Sequence, residues 1–226
     1  MRPNASESVS PNFMNKDIFW KIIDATIMAP THEEQLELFR RELAALSLKE
    51  LDAFGTLFSE YFVASYNWDL WLVAWLARRG LCSDDGFHYL RLWLLSRGRH
   101  VFESALQDPE SLAELICDAA SPEFESFAYV MDEVRLRFAA PPLKSLGRHP
   151  KQPSGGDWLR PELKDRTGRP LLNLCVVFRE LTDADFEVIQ KRFPRLWEIC
   201  LRKGIIKTPG APAEPPSPAT CPRRSR

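Results

Sequence analysis

The sequence predicts a mainly α fold: one helical domain over residues 14–204 around a central antiparallel helical hairpin, with at most one or two short strands and a disordered tail. Three observations carry this prediction. Helix-start signals recur along the chain, two of them capping boxes separated by a short turn. Residues 68–98, WDLWLVAWLARRGLCSDDGFHYLRLWLLSRG, place four of the seven tryptophans on an apolar helical pair whose few charges sit at defined places. From residue 205 the chain carries six prolines and little apolar matter, so it cannot bury enough surface to order itself.

In order along the chain, residues 1–13 read as a disordered extension. They have one Arg and no apolar core of the kind a secretory signal needs, and Met14 is a candidate functional start. Asn15 caps a helix over 16–28, with Ile18, Phe19, Ile22 and Ile23 on its apolar stripe and Pro30 as its stop. Thr31-x-x-Glu34 opens a second helix to about 45, and Ser47-x-x-Glu50 a third to about 66. Asn67 introduces the fourth, in which Trp68, Trp71 and Trp75 follow helical spacing while Leu70, Leu72, Val73 and Leu76 make the other sides apolar. Gly80 ends it as a residue that accepts positive φ. Ser83, Asp84 and Asp85 supply oxygens to the amides of a fifth helix that reaches 96, ahead of Gly98.

A short helix follows over 101–106. Asp108-Pro109-Glu110 reads as N-cap, first-turn proline and first-turn acid for a helix to 119, and Ser121-Pro122-Glu123 repeats that grammar for one to about 138. Residues 139–170 are a long surface connection rich in Pro, Gly, Lys and Arg. Residues 171–178, LLNLCVVF, fit a buried strand or a short core helix, the strand being favoured. Thr182 to Asp185 cap a last helix through 193, and Pro194-Arg195-Leu196-Trp197 packs an aromatic at the domain's end.

Composition excludes several functions. Thirty Lys and Arg against thirty-one Asp and Glu leave a formal charge of -1, so no whole-molecule field draws the chain to nucleic acid or an anionic membrane. The longest apolar run, 70–77, is far short of the ~20 residues of a spanning helix. Neither nucleic acid nor membrane is an expected partner. Five scattered cysteines without a CxxC pair fit reduced thiols and a cytoplasmic location.

Trp68-Asp69-Leu70-Trp71, Cys82-Ser83-Asp84-Asp85-Gly86-Phe87, Arg91 with Trp93-Leu94, and Gly98-Arg99 resemble the signature of an uncharacterised bacterial family, domain of unknown function 4240. Phe19-Trp20 and Pro194-Arg195-Leu196-Trp197 look like the same family's ends. The family pattern has two glycines before the Cys-Ser-Asp-Asp corner, where Gly80-Leu81 stands here. The resemblance implies a bacterial, cytosolic, single-domain protein and carries no activity with it.

Asp84, Asp85, His88 and Arg91 are the candidate ligand- or partner-binding residues. Carboxylates and an imidazole at i, i+3 and i+4 share one helix face, and Arg91 extends a narrow polar stripe on an apolar cylinder. Against this stands a purely structural role: the aspartates as helix caps, and Arg91 as the partner of a glutamate from another helix. Trp68, Trp71, Trp93, Gly80, Ser83 and Gly98 are expected to be structural, and Asp69 to pair with Arg97 or Arg99 across the open end of the hairpin. A metal site at Asp84 with Asp69 is excluded by a separation of about 14 Å at 1.5 Å per residue. Cys82 lacks an oriented histidine for nucleophilic chemistry.

The favoured reading is a non-enzymatic bacterial binding or interaction module, open to a regulatory role, with an unknown protein or small molecule as partner and no cofactor. The alternatives are a metal-dependent or hydrolase-like enzyme centred on Asp84, Asp85, His88 and Arg91, and a structural partner protein using an exposed tryptophan surface.

Overall fold

The computed structural model describes residues 14–78, 82–119, 122–143, 153–155, 162 and 182–205. Among these the fold is helical, with a single parallel bridge between Asn67 and Ser154 as its only extended pairing. The helices are α1 (Lys16–Asp24), α2 (His32–Ala44), α3 (Leu48–Ala64), α4 (Trp68–Ala77), α5 (Asp84–Ser96), α6 (Gly98–Gln107), α7 (Ala113–Asp118), α8 (Ser126–Leu136), α9 (Asp183–Arg192) and α10 (Pro194–Arg202). A 3₁₀ turn, Pro109–Leu112, leads into α7.

Local capping chemistry explains most starts. Asn15, Thr31, Ser47, Asn67, Ser83, Asp108 and Thr182 each accept a hydrogen bond from a first-turn amide, and the boxes at Ser47/Glu50 and Thr182/Asp185 close reciprocally. Four expectations are corrected. α1 ends at Asp24 rather than 28, where the chain tightens into i→i+3 turns at Thr26 and Ala29. α6 starts at Gly98 rather than 101, because Asp24 of α1 accepts the Arg99 amide at 2.9 Å and caps the helix from outside. α8 starts at Ser126, later than the proline grammar implies. The Phe124 amide bonds the Tyr89 carbonyl and Glu123 pairs with Arg78, which hold this stretch off the helix. Pro194 to Trp197 are the first turns of a full helix, α10.

The core is largely aromatic. Phe19 and Trp20 of α1 pack with Phe54 and Tyr61 of α3 and Phe102 of α6; Phe39 of α2 stacks on Phe127 of α8 at 4.3 Å. Trp71 stacks on Phe87 at 4.4 Å across the α4–α5 pair. Trp68, Trp71 and Trp93 are buried as expected, and Trp75 is half-buried against Phe186 of α9. Aromatic stripes at helical spacing thus serve as core.

Outside this centre, α2 runs along α8, α5 packs on α6, α3 and α8, and α10 lies against α7 and α4. Asp69 does not meet Arg97 or Arg99. It pairs with Arg192 of α9 at 2.6 Å, so it ties the C-terminal helices to α4. Arg97 instead donates to Gln35 Oε1 and Ser96 Oγ, and Arg99 pairs with Asp17 and Glu103. Residues 1–13, Gly80, Ser121, the strand expected at 171–178 and the tail lie outside the described residues. Among the described residues no helix is long and apolar enough to cross a membrane.

Candidate functional site

Ser83 caps α5 through the Gly86 amide at 3.1 Å, which sets where the helix begins. Asp84 and Asp85 stand exposed in the first turn, where negative charge complements the helix's positive end. His88 is half-buried, and Arg91 is only 1% exposed. The expected stripe therefore divides along its length: its first turn meets water and its last residue enters the core.

Arg91 does not face a ligand surface. Its Nε donates to Ser65 Oγ at 3.2 Å, its Nη2 donates to the Phe62 carbonyl, and its guanidinium carbon lies 3.7 Å from the centre of the Phe62 ring. Phe62 belongs to the last turn of α3, whose terminal carbonyls have no partner within the helix. Arg91 thus caps the C-terminal end of α3 with a cation, which suits the partial negative charge there. Burial pushes its guanidinium down to about 9, and Tyr66 acts in the opposite direction. This enclosure favours the structural role, with Ser65 and the Phe62 carbonyl among the partners of Arg91.

The half-exposed part of the stripe opens into a cavity of about 220 Å³ between α5 and the start of α8, lined by Asp85, His88, Tyr89, Leu92, Glu125, Ala128 and Tyr129. Both walls follow from helical spacing. Residues 85, 88, 89 and 92 are one face of α5, and 125, 128 and 129 are one face at the start of α8. Tyr129 donates its phenolic proton to Glu125 Oε1 at 2.5 Å. Leu92 and Ala128 supply the apolar part of the lining.

The electrostatics of this cavity are negative. The Tyr129 phenol is raised above its usual range by its hydrogen bond to Glu125, and that of Tyr89 by lost solvation and then by the same carboxylate. The His88 imidazole is held below its usual range by burial and then by the nearby Arg91 charge, with Asp85 and Glu125 opposing both. His88 is therefore chiefly neutral at pH 7, which leaves two carboxylates and, among the described residues of the lining, no cation. Asp84 is not among the lining residues, and its carboxyl is raised by partial desolvation and by the like charge of Asp85.

Of the four residues expected to bind, Asp85 and His88 share the cavity, Asp84 is exposed in the first turn of α5 and Arg91 belongs to the core. Sequence reasoning missed Tyr89, Glu125 and Tyr129. The available signal was Glu125 and Tyr129 at i, i+4, a pair that meets on one helix face. Among the described residues, no three His, Cys, Asp or Glu side chains are grouped so as to hold a metal ion.

The model of a family described as a protein of unknown function (DUF4240) matches residues 14–134, a span that includes every residue of the cavity. No curated protein and no solved structure matches the chain.

Proposed function

The chain belongs to the DUF4240 family, and we propose that it is a non-enzymatic binding module that takes a cationic group, an ammonium or guanidinium, in the cavity between α5 and α8. The observation that carries this reading is the lining itself: two carboxylates, Asp85 and Glu125, and two tyrosine rings around one small recess. A tyrosine face attracts a cation with about 0.5 to 2 kcal/mol, and a carboxylate alongside adds charge-assisted hydrogen bonds. A volume of about 220 Å³ is below the range of roughly 300–1,000 Å³ typical of whole-ligand pockets, so the recess suits one headgroup of a small molecule or one side chain of a partner protein.

Such a site binds weakly by itself, with a Kd of about 0.1 to 1 mM. Weak, salt-sensitive capture of one cationic group suits recognition, where a larger partner contributes the remaining contacts. We place this activity in the bacterial cytosol, a location supported by the family resemblance and by the free thiols Cys82, Cys117 and Cys200.

Calorimetric titration of the full chain with tetramethylammonium and with N-acetylarginine amide tests the proposal. One of the two should saturate in the stated range, weaken at least tenfold in Glu125→Gln and Tyr129→Ala, and weaken further as salt is raised. Equal affinity in the variants, or tighter binding of acetate or phosphate than of either cation, contradicts it.

A further inference from the structure

The second place where reactive groups converge is remote from the cavity in sequence and chemistry. α7 and α10 pack side by side, and the contact brings Cys117 Sγ to 3.9 Å from Cys200 Sγ, across 83 residues of chain. Cys200 is fully buried, whereas Cys117 is partly open to solvent. Beside the buried apolar side chains of the seam, its polar links are mostly exposed: Arg202 with Glu114 at 3.3 Å, Lys203 with Asp118, and the Leu196 amide to Glu110 Oε1 at 2.9 Å. Ion pairs of that kind contribute about 0 to 1 kcal/mol each and fade with salt.

We propose that Cys117 and Cys200 form a redox-responsive thiol pair, which a peroxide-class oxidant converts to a disulfide that fastens the C-terminal helices α9 and α10 to the rest of the domain. Closing the bond requires the sulfurs to approach from 3.9 Å to about 2.05 Å, a movement within reach of side-chain rotation and a small shift of α10. The local chemistry orders the two thiols. The contact with Cys200 and then the Lys203 ammonium lower the Cys117 thiol, while the same contact and burial raise Cys200. Cys117, which solvent and oxidant reach, is then the attacking thiolate, and the buried Cys200 is the resolving thiol.

The steps balance. The Cys117 thiolate attacks one peroxide oxygen, the O–O bond breaks, and the departing oxygen takes a proton, leaving a sulfenic acid on Cys117. The Cys200 sulfur then attacks the Cys117 sulfur, the S–O bond breaks, and hydroxide leaves as water with the Cys200 proton. Two thiols and one hydroperoxide give one disulfide, one water and one alcohol, the alcohol being a second water for hydrogen peroxide. α9 and α10 lie beyond the segment the family model matches, so the bond joins this helical pair to the matched segment.

The test is peptide mapping of the full chain under non-reducing conditions after one equivalent of hydrogen peroxide. The expected product is a peptide pair linked between Cys117 and Cys200 with the loss of two hydrogens. The oxidised protein should melt about 10 °C higher than the reduced one, and dithiothreitol should reverse the rise. In Cys200→Ser the reaction should stop at a sulfenic acid on Cys117 that dimedone traps. Linkage of Cys117 to Cys82, Cys175 or Cys221, or oxidation of those three while Cys117 and Cys200 stay free, overturns the proposal. If the variant fails to fold, the map of the unsubstituted chain still decides.

Discussion

Replacing Arg91 with methionine separates its structural role from the binding reading most sharply. Methionine keeps the apolar stem of the side chain but ends short of the guanidinium, and so removes the donor to the Phe62 carbonyl, the donor to Ser65 Oγ and the charge over the Phe62 ring. Hydrogen bonds from a charged group are worth about 1.5–3 kcal/mol each, and an enclosed cation–π contact about 2. Two offsets reduce the loss. The Phe62 carbonyl keeps the Ser65 hydroxyl as a donor at 2.8 Å, and the variant no longer desolvates a guanidinium. A net destabilisation of about 2–3 kcal/mol remains, which lowers the melting temperature by about 5–10 °C in a chain of this size. Arg91→Lys should lose roughly half as much, since one ammonium keeps the charge at the end of α3 but not the fork. Thermal unfolding followed by circular dichroism measures both. A folded Arg91→Met protein with an unchanged melting temperature would refute the capping argument, and one that is stable yet no longer binds tetramethylammonium would return Arg91 to the ligand site.

Two further outcomes follow from the same structure. Gly98 has φ +85°, and a Cβ there would press on Asp24 Oδ1, the oxygen that accepts the Arg99 amide at 2.9 Å; Gly98→Ala should cost about 2–4 kcal/mol in urea unfolding, part from the left-handed backbone and part from the displaced cap, and a cost under about 0.5 would contradict this. His88 and His32 both have imidazoles held below their usual range by burial first and by an arginine charge second. A histidine neutral in the fold contributes stability that is present above its unfolded pKa of about 6.5 and lost as pH falls below it. Unfolding midpoints should therefore decline from pH 7.5 to 5.5, and His88→Gln should flatten the decline; an identical slope in the variant argues against buried, neutral His88.

The parts of the fold that were legible in the sequence are those fixed by neighbours in the chain. Asn15, Thr31, Ser47, Asn67, Ser83, Asp108 and Thr182 cap where their side-chain oxygens meet amides two or three residues on, and nothing distant competes. The failures share the opposite cause. Residues 122–125 carry the same proline signal as 108–110, yet partners on α5 and near the end of α4 hold them off the helix. Asp69 finds Arg192, which lies 123 residues away, and no local pattern encodes that meeting. The candidate site is half legible for the same reason: Asp85 and His88 belong to one helix face, but the wall opposite them exists only because α8 packs against α5. Arg91 was legible as a polar singularity, and its direction was not, since a residue on a helix buried on most sides takes its partner from whichever helix end lacks one.

The proposed recognition of a cation in the recess between α5 and α8 is open to a direct test, the amide and ring chemical shifts of the full chain titrated with tetramethylammonium. Saturable shifts confined to His88, Tyr89, Glu125 and Tyr129 and their neighbours, absent in Glu125→Gln, are the expected result. Shifts centred elsewhere on the molecule, or the same shifts in that variant, would contradict it.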